Sequence, residues 1–115
     1  MAILSGGIEG KVVASVASTP LVNLAVLAPV ANFVVDPESL LSGPRPLQVS
    51  FHDQSTGSPW AWNWTISDGV HTLTATVLHP TFELNNIGVY SVTLTVQNSY
   101  SMSSPFTRID YVTVT

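Results

Sequence analysis

Between Tyr90 and Gln97 the chain alternates without a break. Tyr90, Val92, Leu94 and Val96 are apolar, and Ser91, Thr93, Thr95 and Gln97 between them are polar. A period of two places the first set on one face of a β-strand and the second on the other. Such a strand has to bury its apolar face against a second layer. The same habit recurs along the chain. Residues 31–35 read as a first strand ended by Asp36-Pro37, and Leu47, Val49 and Phe51 share one face of the next. Residues 60–66 form a third, closed by Ser67-Asp68-Gly69, where glycine permits a positive φ. In residues 72–77, threonines point outward and Leu73, Ala75 and Val77 inward. Asn85-Asn86-Ile87-Gly88 is a turn, and residues 109–114 are the last strand. Short strands and turn formers at roughly ten-residue spacing predict an all-β antiparallel sandwich, and no helical period competes with it.

Composition narrows the partners. A chain of 115 residues is one domain with a single adequate core. Charged residues make up 9% of it, against about a quarter in an ordinary soluble domain. Its mean hydropathy is +0.35, so much of the surface is expected to meet other protein. Three cations, Lys11, Arg45 and Arg108, face seven acidic residues. They cannot assemble a basic patch, which argues against nucleic acid. The absence of cysteine excludes disulfides, thiolate chemistry and cysteine–zinc sites. Residues 1–11 lack a basic region ahead of a continuous apolar run, so no secretory signal is expected there. Pro20, Asn23, Pro29 and Asn32 interrupt residues 12–35, which argues against a transmembrane helix.

One family matches most of these landmarks. Pro46-Leu47-Gln48-Val49-Ser50-Phe51-His52-Asp53 leads to Trp62-Asn63-Trp64-Thr65-Ile66-Ser67-Asp68-Gly69 and Pro80-Thr81-Phe82-Glu83-Leu84. Gly88-Val89-Tyr90-Ser91-Val92-Thr93-Leu94 follows, and Tyr111-Val112-Thr113-Val114 closes the stretch. Residues 31–115 thereby resemble a PKD domain, an immunoglobulin-like β-sandwich. The family motif, approximately Trp-x-Trp-Asp-Phe-Gly-Asp-Gly, keeps its second tryptophan at Trp64 and its final pair at Asp68-Gly69. Thr65, Ile66 and Ser67 replace its first Asp, its Phe and its first Gly. The family's Pro-x-His-x-Tyr becomes Pro80-Thr81-Phe82-Glu83-Leu84. These departures are isosteric or apolar; they leave the fold standing and weaken any carry-over of calcium-linked roles. The resemblance implies a core tryptophan at Trp62 or Trp64. It implies a tyrosine corner at Tyr90, its hydroxyl bonded to nearby backbone. Val92, facing Val49 or Phe51, would stand where antibody domains carry their inter-sheet disulfide.

The candidate residues for chemistry each have a plainer role. His52, His71 and His79 with Asp53, Asp68 and a serine have the composition of a hydrolytic triad. No nucleophile motif accompanies them, and strand ends and loops account for their positions. Asp36, Glu38, Asp68 and Asp110 are candidate calcium ligands without a ligand spacing; aspartate beside Pro or Gly is a turn residue. No catalytic residue, cofactor or metal is therefore expected. Trp60, Trp62 and Trp64 would share a face, as a sugar platform or, better, as two core rings and one covering the sandwich end. The sequon Asn63-Trp64-Thr65 lies within a predicted strand and is discounted.

Residues 1–30 differ from the rest. They carry Glu9 and Lys11 as their charges and are otherwise built from Ala, Val, Leu, Ile, Ser and Gly. Disordered segments have the opposite composition. Residues 11–16 and 21–27 read as strands, so the segment is expected to be an assembly arm. Its docking residues are Ile3, Leu4, Ile8, Val12, Val13, Val16, Leu21, Val22, Leu24, Val26 and Leu27. Strand addition or an apolar groove would receive it. The expectation is a non-enzymatic structural protein with an arm over 1–30 and a sandwich over 31–115. A bacteriophage head decoration or cement subunit at the virion surface, assembled in the host cytoplasm, fits best; a tail or tube subunit comes next. Its partners would be capsid or tail proteins or copies of itself, without nucleic acid or membrane, and with weak glycan contact at most. The alternative is an extracellular adhesin or carbohydrate-binding module.

Overall fold

A computed structural model of the chain describes residues 28–115. They form β1 (Phe33–Val35), β2 (Ser42–Gly43), β3 (Leu47–Asp53), β4 (Ala61–Ser67), β5 (Thr72–Ala75), β6 (Thr81–Leu84), β7 (Gly88–Gln97) and β8 (Phe106–Val114). No helix occurs among the described residues. One sheet has the order β1-β3-β6 and the other β2-β8-β7-β4-β5. All neighbours are antiparallel except β2, which runs parallel to β8. The chain thus leaves the first sheet after β1 and joins the edge of the second at β2. The predicted all-β sandwich is the observed fold.

The alternating faces meet between the sheets. Phe33, Val49, Phe51, Phe82 and Leu84 project from the first, and Trp64, Ile66, Tyr90, Val92, Leu94, Val96, Val112 and Val114 from the second; all are buried. Trp64 is the fully enclosed tryptophan of the pair considered above. Phe33 meets the rings of Phe51 and Trp64 edge-on at 5.6 and 5.2 Å, an arrangement favoured by the ring quadrupoles. Arg108 closes that flank. Its guanidinium lies 5.2 Å from the Phe33 centroid and 5.1 Å from that of Phe106, and both Nε and Nη2 donate to the Phe33 carbonyl.

The expected tyrosine corner is present. The Tyr90 hydroxyl donates to the Asn86 carbonyl at 2.7 Å. Burial, and then the negative charge of Asp68, push its phenol up from the usual value.

Three expectations shift. β5 ends at Ala75, and Leu73 and Val77 are exposed rather than buried. Leu73 does pair with Ile66 and so turns toward the core side. Among the described residues, however, the first sheet stops at β6, and β5 overhangs it. The last strand begins at Phe106 rather than Ile109. A register shift between Tyr90 and Val92 hides this continuity, with Asp110 at a φ of 52° in the bulge. Trp60 lies outside β4 and is exposed, so the three tryptophans do not form a row.

The assembly-arm residues Ile3, Leu4, Ile8, Val12, Val13, Val16, Leu21, Val22, Leu24, Val26 and Leu27 lie outside the described residues. The chain enters view beside residues 54–57. Val30 and Thr56 exchange two backbone hydrogen bonds, at 3.1 and 3.0 Å. Gly57 stands so close that a Cβ there would meet the Pro29 Cα at 2.7 Å.

Candidate interaction surface

Three loops converge at one end of the sandwich, because β3, β5 and β7 end there and β4, β6 and β8 begin. They are residues 54–60, 76–80 and 98–105, and none contains Asp, Glu, Lys or Arg. Trp60, Val77, Tyr100 and Met102 are each more than half exposed, at 58%, 55%, 61% and 63%. Large exposed apolar side chains on a neutral surface make this end the candidate interaction surface.

These side chains stand on fixed backbone. Asn98 is buried, and its Nδ2 donates to the Gly57 carbonyl at 2.8 Å. Its Oδ1 accepts from the N–H groups of Tyr100 and Ser101 at 2.8 and 3.0 Å. One side chain thus joins two loops. Ser103 is also buried, and its hydroxyl oxygen accepts the Val96 N–H at 3.0 Å. The third loop is held from below, where the Trp64 indole N–H donates to the Val77 carbonyl at 2.8 Å. Loops preorganised in this way lose little entropy on binding.

A shallow depression of about 260 Å3 adjoins this end on the outer face of the second sheet. Ala61 and Met102 give it apolar walls, and Asn63, Thr76, Thr95 and Gln97 supply neutral polar groups. Asn63 pairs across strands with Thr95, and Ala61 with Gln97, so this side of the strand faces away from Trp64. Such a lining suits neutral hydroxyl- or carbonyl-bearing groups. Trp62 faces inward beside Trp64, half-buried, and its Nε1 is buried without an acceptor among the described residues.

The titratable residues do not form a catalytic constellation. His52 Nε2 lies 2.8 Å from Asp36 Oδ2, and its ring centroid is 4.7 Å from that of His79. His79 Nδ1 accepts the Asp53 N–H at 3.2 Å. His71 Nδ1 lies 3.0 Å from Asp68 Oδ2 in a separate turn. Each histidine is therefore partnered by an aspartate or a backbone N–H, not by a serine hydroxyl. Asp68 accepts the N–H groups of Val70 and His71 at 2.9 and 2.6 Å. The His71 N–H, the His71 ring and the Val70 N–H hold its carboxyl down at about 2. Asp36 is also lowered, first by the Glu38 N–H. Asp36 and Glu38 share one turn, Asp68 closes another, and Asp110 sits in the β8 bulge, so the candidate calcium ligands are dispersed. Among the described residues no acidic or histidine cluster is placed to hold a metal, and no helix is long and apolar enough to cross a membrane.

The sequence pointed to Trp60 but not to Val77, Tyr100 or Met102. Their loops carry no periodic signal; adjacency across the sandwich end brings them together. The low charge of the three loops was the available clue.

Comparison with known families agrees with this architecture. A family model described as PKD domain matches residues 26–114. No curated protein matches the chain.

Proposed function

The chain belongs to the PKD domain family, whose immunoglobulin-like modules serve adhesion and structural display rather than catalysis, and we propose that it is a display protein anchored through residues 1–30. One observation carries this reading. The chain enters the sandwich at the end that bears the neutral apolar loops, with Pro29 against Gly57 and Val30 bonded to Thr56. Residues 28–30, through which the arm joins the sandwich, and Trp60, Val77, Tyr100 and Met102 therefore lie at one end of it. Docking that end would remove apolar surface from water at roughly 25 cal/mol per Å2, before association costs are subtracted. The opposite end and the sheet faces are then displayed. With its low charge, the chain fits a virion subunit: a bacteriophage head decoration protein first, a tail or tube subunit next.

Replacing Val13 and Val22 with Asp should abolish incorporation into the native particle and leave the sandwich folded by circular dichroism. Normal incorporation of that variant would overturn the arm's role. The depression beside Met102 supports the second reading, an adhesin or carbohydrate-binding module. In that case Trp60→Ala and Asn63→Ala would abolish retention on a neutral polysaccharide, and deleting the arm would not.

A further inference from the structure

The two sheets are unequal on one flank. The β1-β3-β6 sheet ends at β6, whereas the larger sheet continues one strand further to β5. Leu73 pairs with Ile66 and turns toward the core side, yet it is 41% exposed, and no strand of the described residues lies opposite it. Beneath the overhang runs a groove of about 240 Å3 whose lining includes Leu73, Leu84 and Tyr90, with Glu83 and Asn85 at its rim. The outer edge of β6 has no strand partner among the described residues, so its outward N–H and C=O groups are free to pair. Among the described residues this flank is short of one strand.

We propose that this flank is a strand-addition site, and that its occupant is residues 11–16 from the arm of a second copy of the chain. The inference rests on the arm's proposed assembly role and names its receptor. Lys11-Val12-Val13-Ala14-Ser15-Val16 is long enough to pair with β6 and has β-branched residues at three positions. An antiparallel register with Val12 opposite Leu84 and Ala14 opposite Phe82 turns both toward the core, since Phe82 and Leu84 are buried. Val13 then lies opposite Glu83 on the solvent face. Lys11 falls diagonal to Glu83, within reach of long side chains. Lys11 is the arm's one cation and Glu83 the one charge on β6, so the charges complement each other. Residues 17–27 separate this segment from the described sandwich. Extended at about 3.3 Å per residue they reach roughly 36 Å, enough to pass from the loop end of one sandwich to the flank of a neighbour.

The chain has no cysteine, so the full-length Val13→Cys/Glu83→Cys variant can report this contact by oxidation. Non-reducing electrophoresis should show an interchain ladder. Val13→Cys/Gln48→Cys should show much less, because Gln48 lies one strand further in. Cross-linking confined to monomers would mean that the arm folds onto its own sandwich, and equal cross-linking in both variants would mean non-specific contact. Either result, or no cross-linking, overturns this site. If the site fails while Val13→Asp/Val22→Asp still blocks incorporation, the arm docks elsewhere and the display reading stands. If that variant incorporates normally, the display reading itself falls.

Discussion

The indole N–H of Trp64, at the centre of the core, donates to the carbonyl of Val77, in a loop at the sandwich end. The ring packed between the two sheets thus also sets the position of an exposed loop residue. Two residues earlier, Trp62 buries the same donor without an acceptor among the described residues.

The two tryptophans should therefore respond differently to the same change. Trp64→Phe loses volume and leaves the Val77 carbonyl without its donor. Trp62→Phe loses exposed area but relieves an unpaired N–H, a burden of about 1–3 kcal/mol. Urea unfolding should show Trp64→Phe to be the more destabilising by about that amount. Trp64→Ala, which also leaves a cavity, should cost about 3–5 kcal/mol. Equal midpoints for the two phenylalanine variants would refute the distinction.

Tyr90→Phe keeps the buried ring and removes the hydroxyl bonded to Asn86. Its expected cost is about 1 kcal/mol. Hydrogen exchange should speed up locally in residues 85–88, where the corner ties the β6–β7 turn. An unchanged exchange pattern would remove the corner from the account.

Asp68 makes stability depend on acid. Its carboxyl is lowered from 3.8 to about 2 in the folded chain, so folding favours the ionised form. That contribution is complete above the ordinary carboxylate range and disappears as pH falls toward about 2. Wild type and Asp68→Asn should differ most in urea midpoint near neutral pH and converge in strong acid. A constant gap across that range would show that the charge is not responsible.

Much of this fold is legible in the sequence, for a physical reason. Tyr90, Val92, Leu94 and Val96 alternate because one face of β7 is buried and the other solvated, and a period of two records that directly. Leu73 misleads for the opposite reason. Its alternation is correct, but its burial depends on how far the other sheet extends, which no local pattern encodes. The β8 bulge breaks the period at Ile109 and Asp110, so the strand reads three residues short. At the loop end, Trp60, Val77, Tyr100 and Met102 come to one end of the sandwich through strand pairing. Asn98, which ties two of those loops together, is one unremarkable asparagine in the sequence.

The boundary of the sandwich gives the last prediction. Among the described residues the buried core runs from Ala31 to Val114, so residues 31–115 are expected to hold the side chains that close it. They should fold cooperatively without the arm. They should nevertheless be weaker than residues 28–115. The shorter chain lacks Val30, and with it both hydrogen bonds to Thr56; it also lacks the buried Pro29 against Gly57. Two backbone hydrogen bonds at about 0.5–1.5 kcal/mol each set a difference of about 1–3 kcal/mol. Thermal unfolding of the two chains should resolve it as a shift of several degrees, about 4–8 °C per kcal/mol for a domain of this size. If residues 31–115 are unfolded by circular dichroism, the segment before Ala31 is an integral strand, and the division into arm and sandwich is wrong. If the two chains melt together, the Val30–Thr56 pairing is not part of what holds the loop end.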